Sequence, residues 1–168
     1  MNLNGKWPKR WLRWSGELLL AVVLLLGVEA WLTRDVPRNV PAELAGQSLD
    51  GQLFDVSQWH GQSGIIYFWA DWCPVCKANR HVITSLAEDK RVMTIAMQSG
   101  NREAVAAYMR KEGFSLPVMV DEQGEIARHF HINGVPAALI IDKEGRISHV
   151  TRGYTTELGL RFRLWMAS

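Results

Sequence analysis

Ile65-Ile66-Tyr67-Phe68-Trp69-Ala70-Asp71-Trp72-Cys73-Pro74-Val75-Cys76 is the stretch whose reading decides the fold. Ile65 to Ala70 is a compact apolar and aromatic run, as a strand buried on both faces requires. From Pro74 to about Glu88 the apolar positions Val75, Ala78, Val82, Ile83, Leu86 and Ala87 recur at helical spacing. The two cysteines therefore sit where a strand passes into a helix. Pro74 suits the first helical position, where a missing N–H costs nothing. Cys73 then lies at the helix N-terminus, among unpaired N–H groups and the positive end of the dipole, which stabilise a thiolate. Cys76 lies one turn further in, shielded and placed to resolve a mixed disulfide.

Two blander readings of the pair stand beside redox chemistry. A structural bridge across so short a loop restricts the unfolded chain very little. A zinc site needs two further ligands, and these two cysteines are the only ones in the chain. His129 and His131 form an H-x-H that could bind a metal, although such pairs are commonly surface or turn residues.

Outward from the cysteines, Val92 to Met97 reads as a second buried strand. Asn101 caps a helix running to Gly113, with Glu103 in its first turn and Lys111 in its last. Leu116 to Val120 and Ala137 to Ile141 are further strands, Ile147 to Thr151 an edge strand, and Thr155 to Trp165 a closing helix. Upstream, Asp50-Gly51 marks a hairpin turn within Ala45 to Val56. The order predicts an α/β domain that begins with parallel crossovers and ends in an antiparallel hairpin.

The chain has 168 residues, enough for one domain and a short appendage. Hydrophobic residues make up 48% and charged residues 21%, which excludes wholesale disorder. From Thr33 onward there are 15 Lys/Arg and 15 Asp/Glu, so the body is neutral and gives no reason to expect nucleic acid. The basic excess lies in Lys6, Lys9, Arg10 and Arg13, just before the apolar run Leu18 to Val28. The segment from Trp14 to Leu32 would span about 28 Å as a helix, close to a bilayer's hydrocarbon thickness. This predicts a cytoplasmic basic tail (1–13), a transmembrane anchor (14–32), an extended linker (33–41) and an exported domain (42–168). A cleaved signal peptide and a buried core helix are the alternatives for 14–32.

At this point a family pattern is recognisable. Phe68-Trp69-Ala70-Asp71-Trp72-Cys73-Pro74-Val75-Cys76-Lys77 resembles the active-site strand and turn of thioredoxins. Gly134-Val135-Pro136-Ala137-Ala138-Leu139-Ile140-Ile141-Asp142-Lys143-Glu144-Gly145 resembles the family's cis-proline strand and the turn after it. The stretch from Arg91 to Gly134 holds an additional strand and helix, similar to the membrane-anchored TlpA/ResA/CcmG branch. Within it, the suppressor-of-copper-sensitivity protein D type is the nearest likeness.

The resemblance implies a thioredoxin fold, a mixed central sheet flanked by helices, with a TlpA-like central insertion. It implies a protein-disulfide oxidoreductase with Cys73 as nucleophile and Cys76 as resolving thiol. Pro136 would be cis and face the cysteines, and the Val135 backbone would pair with an extended substrate segment. Trp72, Pro74 and Val75 would shape the docking surface, whereas Trp69 packs the core. The redox-active Cys73–Cys76 disulfide would be the only redox group, since no flavin, nicotinamide or haem motif is visible. Exported protein thiols and a membrane redox partner would be its partners, and the bacterial inner membrane and periplasm its location. The rival class is a copper-binding or copper-delivery module built on the same sulfurs with His129 or His131, in keeping with a copper-tolerance context.

Two departures matter. Thioredoxin places a buried acid where this chain has Tyr67, and reductases of the ResA type often place a Glu where it has Asn79. No carboxylate for handling the Cys76 proton is evident, and Asp71 is near only in sequence. Pro74-Val75 also lacks the proline that reducing members usually place before the second cysteine, so the direction of electron flow stays open.

Overall fold

The computed structural model describes residues 9–32, 36 and 42–168. It divides into two units, Met1–Arg34 and Asp35–Ser168. The expected basic tail and linker lie largely outside the described residues.

The first unit is one helix, α1 (Lys9–Leu32). The expectation of a transmembrane span over 14–32 is not supported: among the described residues, no helix is long and apolar enough to cross a membrane. Glu17 and Glu29 bound the apolar run of α1. Between them the unbroken apolar run, Leu18 to Val28, spans only about 16 Å, roughly half a hydrocarbon core. Trp14, Leu18, Leu19, Leu24 and Trp31 of α1 are exposed.

The second unit is built on a five-stranded sheet in the order β5-β4-β3-β6-β7. Its strands are β3 (Gly64–Trp69), β4 (Arg91–Met97), β5 (Val118–Asp121), β6 (Ala137–Ile141) and β7 (Ile147–Arg152). A two-stranded hairpin of β1 (Ala45–Gln47) and β2 (Leu53–Asp55) precedes it, and Gly51 takes the left-handed turn conformation that Asp50-Gly51 announces. The pairs β3–β4 and β4–β5 are parallel, with Tyr67 opposite Thr94 and Ile95 opposite Met119. The pairs β3–β6 and β6–β7 are antiparallel, with Tyr67 opposite Ala138 and Leu139 opposite Val150. Parallel crossovers therefore come first and the antiparallel hairpin last, as the element order predicts.

Every residue of β3 is buried, which is why it reads as a continuous apolar run rather than an alternation. The pleat still sorts its side chains. Ile65, Tyr67 and Trp69 face one core with Val82, Ile83 and Leu86 of α2 (Pro74–Asp89) and Leu160 and Leu164 of α5 (Glu157–Met166). Ile66 and Phe68 face the other core with Ile95, Leu139, Phe130 and Ile132.

Between the two motifs, β4 leads to α3 (Arg102–Lys111), where the Asn101 side chain accepts from Ala104 N at 3.0 Å as a helix cap. A short helix, α4 (Glu125–His129), was not expected from the sequence. Its cap is displaced along the chain: the buried Asp121 carboxylate accepts from Ile126 N at 3.1 Å and Ala127 N at 2.9 Å. Five helical residues are too few for a periodic pattern to register.

Candidate active site

Cys73 has extended backbone angles and is the N-cap of α2, with Pro74 as the next residue. Its Sγ accepts a hydrogen bond from Cys76 N at 3.0 Å, so a backbone donor of the first turn points at the sulfur. Cys73 and Cys76 form a disulfide with their Cα atoms 5.2 Å apart. Both are buried, at 4% and 5% exposure, while Pro74 and Val75 between them are exposed.

The strand that closes the sheet brings the second motif to the first. The Val135–Pro136 peptide is cis, immediately before β6, and Cys73 Sγ lies 3.7 Å from the Val135 carbonyl oxygen. Two segments some 60 residues apart in the chain thus meet at one sulfur because β6 pairs with β3. Pro136 itself is buried and Val135 half-buried.

Trp72 is 58% exposed beside the cysteines, and its position is held from below. The indole Nε1–H donates to the Gln98 carbonyl at 3.1 Å, and Trp72 N donates to Asp71 Oδ1 at 2.9 Å. Asp71 N donates to Ser99 Oγ at 3.0 Å, and that hydroxyl donates to the Met97 carbonyl at 3.1 Å. The sequence reading missed this loop. Its signal was Gln98-Ser99-Gly100 directly after a buried strand, and both Gln98 and Gly100 take positive φ. Asp71 is exposed and spent on its neighbour's backbone, so it does not face Cys76.

Behind Cys76, Trp69 packs as expected: it stacks on Tyr108 with centroids 5.8 Å apart and meets Phe114 edge-on at 5.7 Å. Arg80 lies over the Phe114 ring at 4.4 Å and binds Glu112 Oε2 at 3.0 Å. Lys77 and Arg80 together hold the Glu112 carboxyl below its usual range. Burial pushes the Tyr67 phenol up to about 12, an effect that the neighbouring Asn79 amide only partly opposes.

Copper handling finds no support here. Among the described residues no group of three or more His, Cys, Asp or Glu is placed to hold a metal, and His129 and His131 are both exposed.

Comparison with known proteins agrees with the geometry. The Redoxin family pattern matches residues 36–159. The chain is 29% identical over 161 residues to a "Thioredoxin-like protein" of Haemophilus influenzae, covering 95% of this chain and 96% of that one. It is 25% identical to "Thiol-disulfide oxidoreductase ResA" of Bacillus thuringiensis subsp. konkukian, covering 85% and 92%. A solved thiol:disulfide interchange protein of Chlorobium tepidum superposes with a TM-score of 0.65 at 26% identity, over 79% of this chain and 98% of that one. With a buried cysteine pair at the head of α2 and a cis-proline turned toward it, the chain belongs to the Redoxin family, as a thiol–disulfide oxidoreductase of the TlpA/ResA/CcmG branch.

Proposed function

We propose that the protein exchanges disulfides with exported proteins on the extracytoplasmic side of a membrane. In this reading Cys73 attacks and Cys76 resolves. The observation that carries it is the asymmetry of the pair. Cys73 Sγ receives the first-turn N–H of α2 and stands 3.7 Å from the Val135 carbonyl, whereas Cys76 sits one turn deeper. A thiolate at Cys73 gains from the helix terminus, which favours it as the attacking sulfur.

Trp72, Pro74 and Val75 on one side, and Val135 and Pro136 on the other, form the rim that docks an extended segment of the partner. Main-chain pairing at Val135 gives affinity independent of sequence, while the exposed Trp72 and Val75 add apolar contact. Export is supported by the basic residues Lys9, Arg10 and Arg13 ahead of the apolar run Leu18 to Val28 within α1. That helix associates with the membrane, and a membrane redox partner recharges the pair there. Protease accessibility of the domain in intact spheroplasts checks the compartment.

The mechanism is tested by trapping. Cys76→Ser is expected to accumulate a mixed disulfide between Cys73 and a protein thiol, seen by mass under non-reducing conditions. Cys73→Ser is expected to trap nothing and to lose exchange. Trapping by Cys73→Ser alone would reverse the assignment. The direction of electron flow is decided by the reduction potential: near −120 mV makes the protein an oxidant, near −270 mV a reductant, these being about the values of DsbA and thioredoxin.

A further inference from the structure

Tyr67, Trp69 and Asn79 each bury a polar group that finds no hydrogen-bond partner: the phenol oxygen, the indole Nε1–H, and both amide atoms. All three residues are at most 5% exposed. Asn79 follows Cys76 by one helical turn, and its amide lies beside the Tyr67 phenol, close enough to favour ionisation but outside hydrogen-bonding geometry. Tyr67 and Trp69, though not Asn79, wall a recess of about 20 Å³ together with Cys76, Phe114 and Leu116, and the cationic Lys77 and Arg80, both paired with Glu112, line it too. No carboxylate lines it among the described residues.

Unpaired polar atoms in a core are costly, so three residues that each bury one beside the others call for a partner. The recess is large enough for one water molecule, and a buried water typically needs two to four polar partners. We propose that this recess binds one water held by Tyr67 Oη and Trp69 Nε1, with Asn79 orienting the phenol, and that this water carries the proton to and from Cys76 Sγ.

The step balances without an acid. The Cys76 thiol gives its proton to the water, from which it passes along the recess to bulk solvent. The thiolate attacks Cys73 Sγ in the mixed disulfide, and the Cys73–Cys76 bond forms. The bond from Cys73 to the partner protein's sulfur breaks, and its electron pair leaves with that sulfur as a thiolate. On reduction of the disulfide the same water returns a proton to Cys76. Tyr67 stays neutral throughout, consistent with burial that opposes its ionisation; its oxygen accepts from the water, which accepts from Trp69 Nε1–H and keeps its second lone pair for the Cys76 proton. Tyr67 and Asn79 are positioning residues, since they act through the water.

The proposal rests on cysteine cycling, but its test does not. In the full chain carrying Cys73→Ser, the Cys76 thiol is titrated by ultraviolet thiolate absorbance. Tyr67→Phe removes the phenol oxygen that anchors the water and keeps the ring, so the Cys76 pKa is expected to rise by about one unit, with about tenfold less thiolate at a given neutral pH. With both cysteines present, the rate of mixed-disulfide resolution is expected to fall about tenfold near pH 7 and recover as pH rises. Asn79→Ala is expected to move both readouts in the same direction, and it carries the test alone if Tyr67→Phe does not fold. Folded variants whose Cys76 titration and pH profile match those of the parent would overturn the proposal. Failure of the wild-type chain to exchange disulfides would instead remove the mechanism, leaving the titration interpretable.

Discussion

Cys73 and Cys76 are separated by two residues but differ in what their surroundings do to a negative charge. Cys73 meets the open end of α2 and the substrate rim, while Cys76 meets a recess walled by Tyr67, Trp69 and Ile83. In the mechanism we propose, the division of labour between attacking and resolving sulfur follows from that difference rather than from the pair's spacing. Leu86, farther along the same helix, serves packing. Leu86 is fully buried beneath the sheet and lines no part of the recess. Leu86→Ala is expected to destabilise the domain by about 3 kcal/mol through lost burial and a residual cavity. Urea unfolding should show a lower midpoint with an unchanged slope. Exchange kinetics in native buffer should match those of the parent.

At the scale of elements, α2 and α5 are clamped at their far ends by a charge network. Arg161 of α5 binds Asp89 Oδ2 at 2.9 Å and Glu157 Oε1 at 2.8 Å, and Lys90 binds Asp89 Oδ2 at 3.0 Å. Hydrogen bonds from Arg161 first and Lys90 second hold the Asp89 carboxyl down at about 2, from an ordinary 3.8. Glu157 is lowered by Arg161 and Ser85. A carboxylate whose pKa is depressed by folding contributes stability above its ordinary pKa and loses it as pH falls through the folded value. The clamp therefore acts above about pH 4 and fades toward pH 2. Arg161→Ala is expected to flatten the acid branch of a denaturation series over that window. Its effect at neutral pH should be small, because the groups are solvent-exposed and screened by salt.

On the scale of the whole molecule, the two units carry different burdens. The sheet, both cores and the active site all lie within Asp35–Ser168. A fragment of that span is expected to fold and to exchange disulfides in solution at the rate of the full chain, measured with a small disulfide substrate. A fragment that unfolds, or exchanges much more slowly, would mean that α1 supports the fold.

Much of the site was legible in the sequence because its chemistry depends on local geometry. A strand of apolar residues, a cysteine at the helix N-terminus and Pro74 after it place a sulfur at the head of a helix over a dozen consecutive residues. The element order likewise implied parallel crossovers followed by a hairpin, since chain connectivity limits how strands can pair. The hairpin at Gly51 and the Asn101 cap were readable for the same local reason.

Three things needed the tertiary structure. The meeting of Val135 with Cys73 depends on the pairing of β6 with β3, a long-range register that no local pattern encodes. The cap of α4 by Asp121 and the support of Trp72 by Gln98 reach across loops whose shape depends on left-handed residues. The recess behind Cys76 is the clearest case. In sequence Tyr67 and Asn79 were only the sites where expected carboxylates were missing, and packing of α2 on β3 is what brings Tyr67 and Trp69 to a recess shared with Cys76, with the Asn79 amide beside the phenol. Local chemistry is written in neighbouring residues, but a buried polar cluster exists only once separate elements have closed over it.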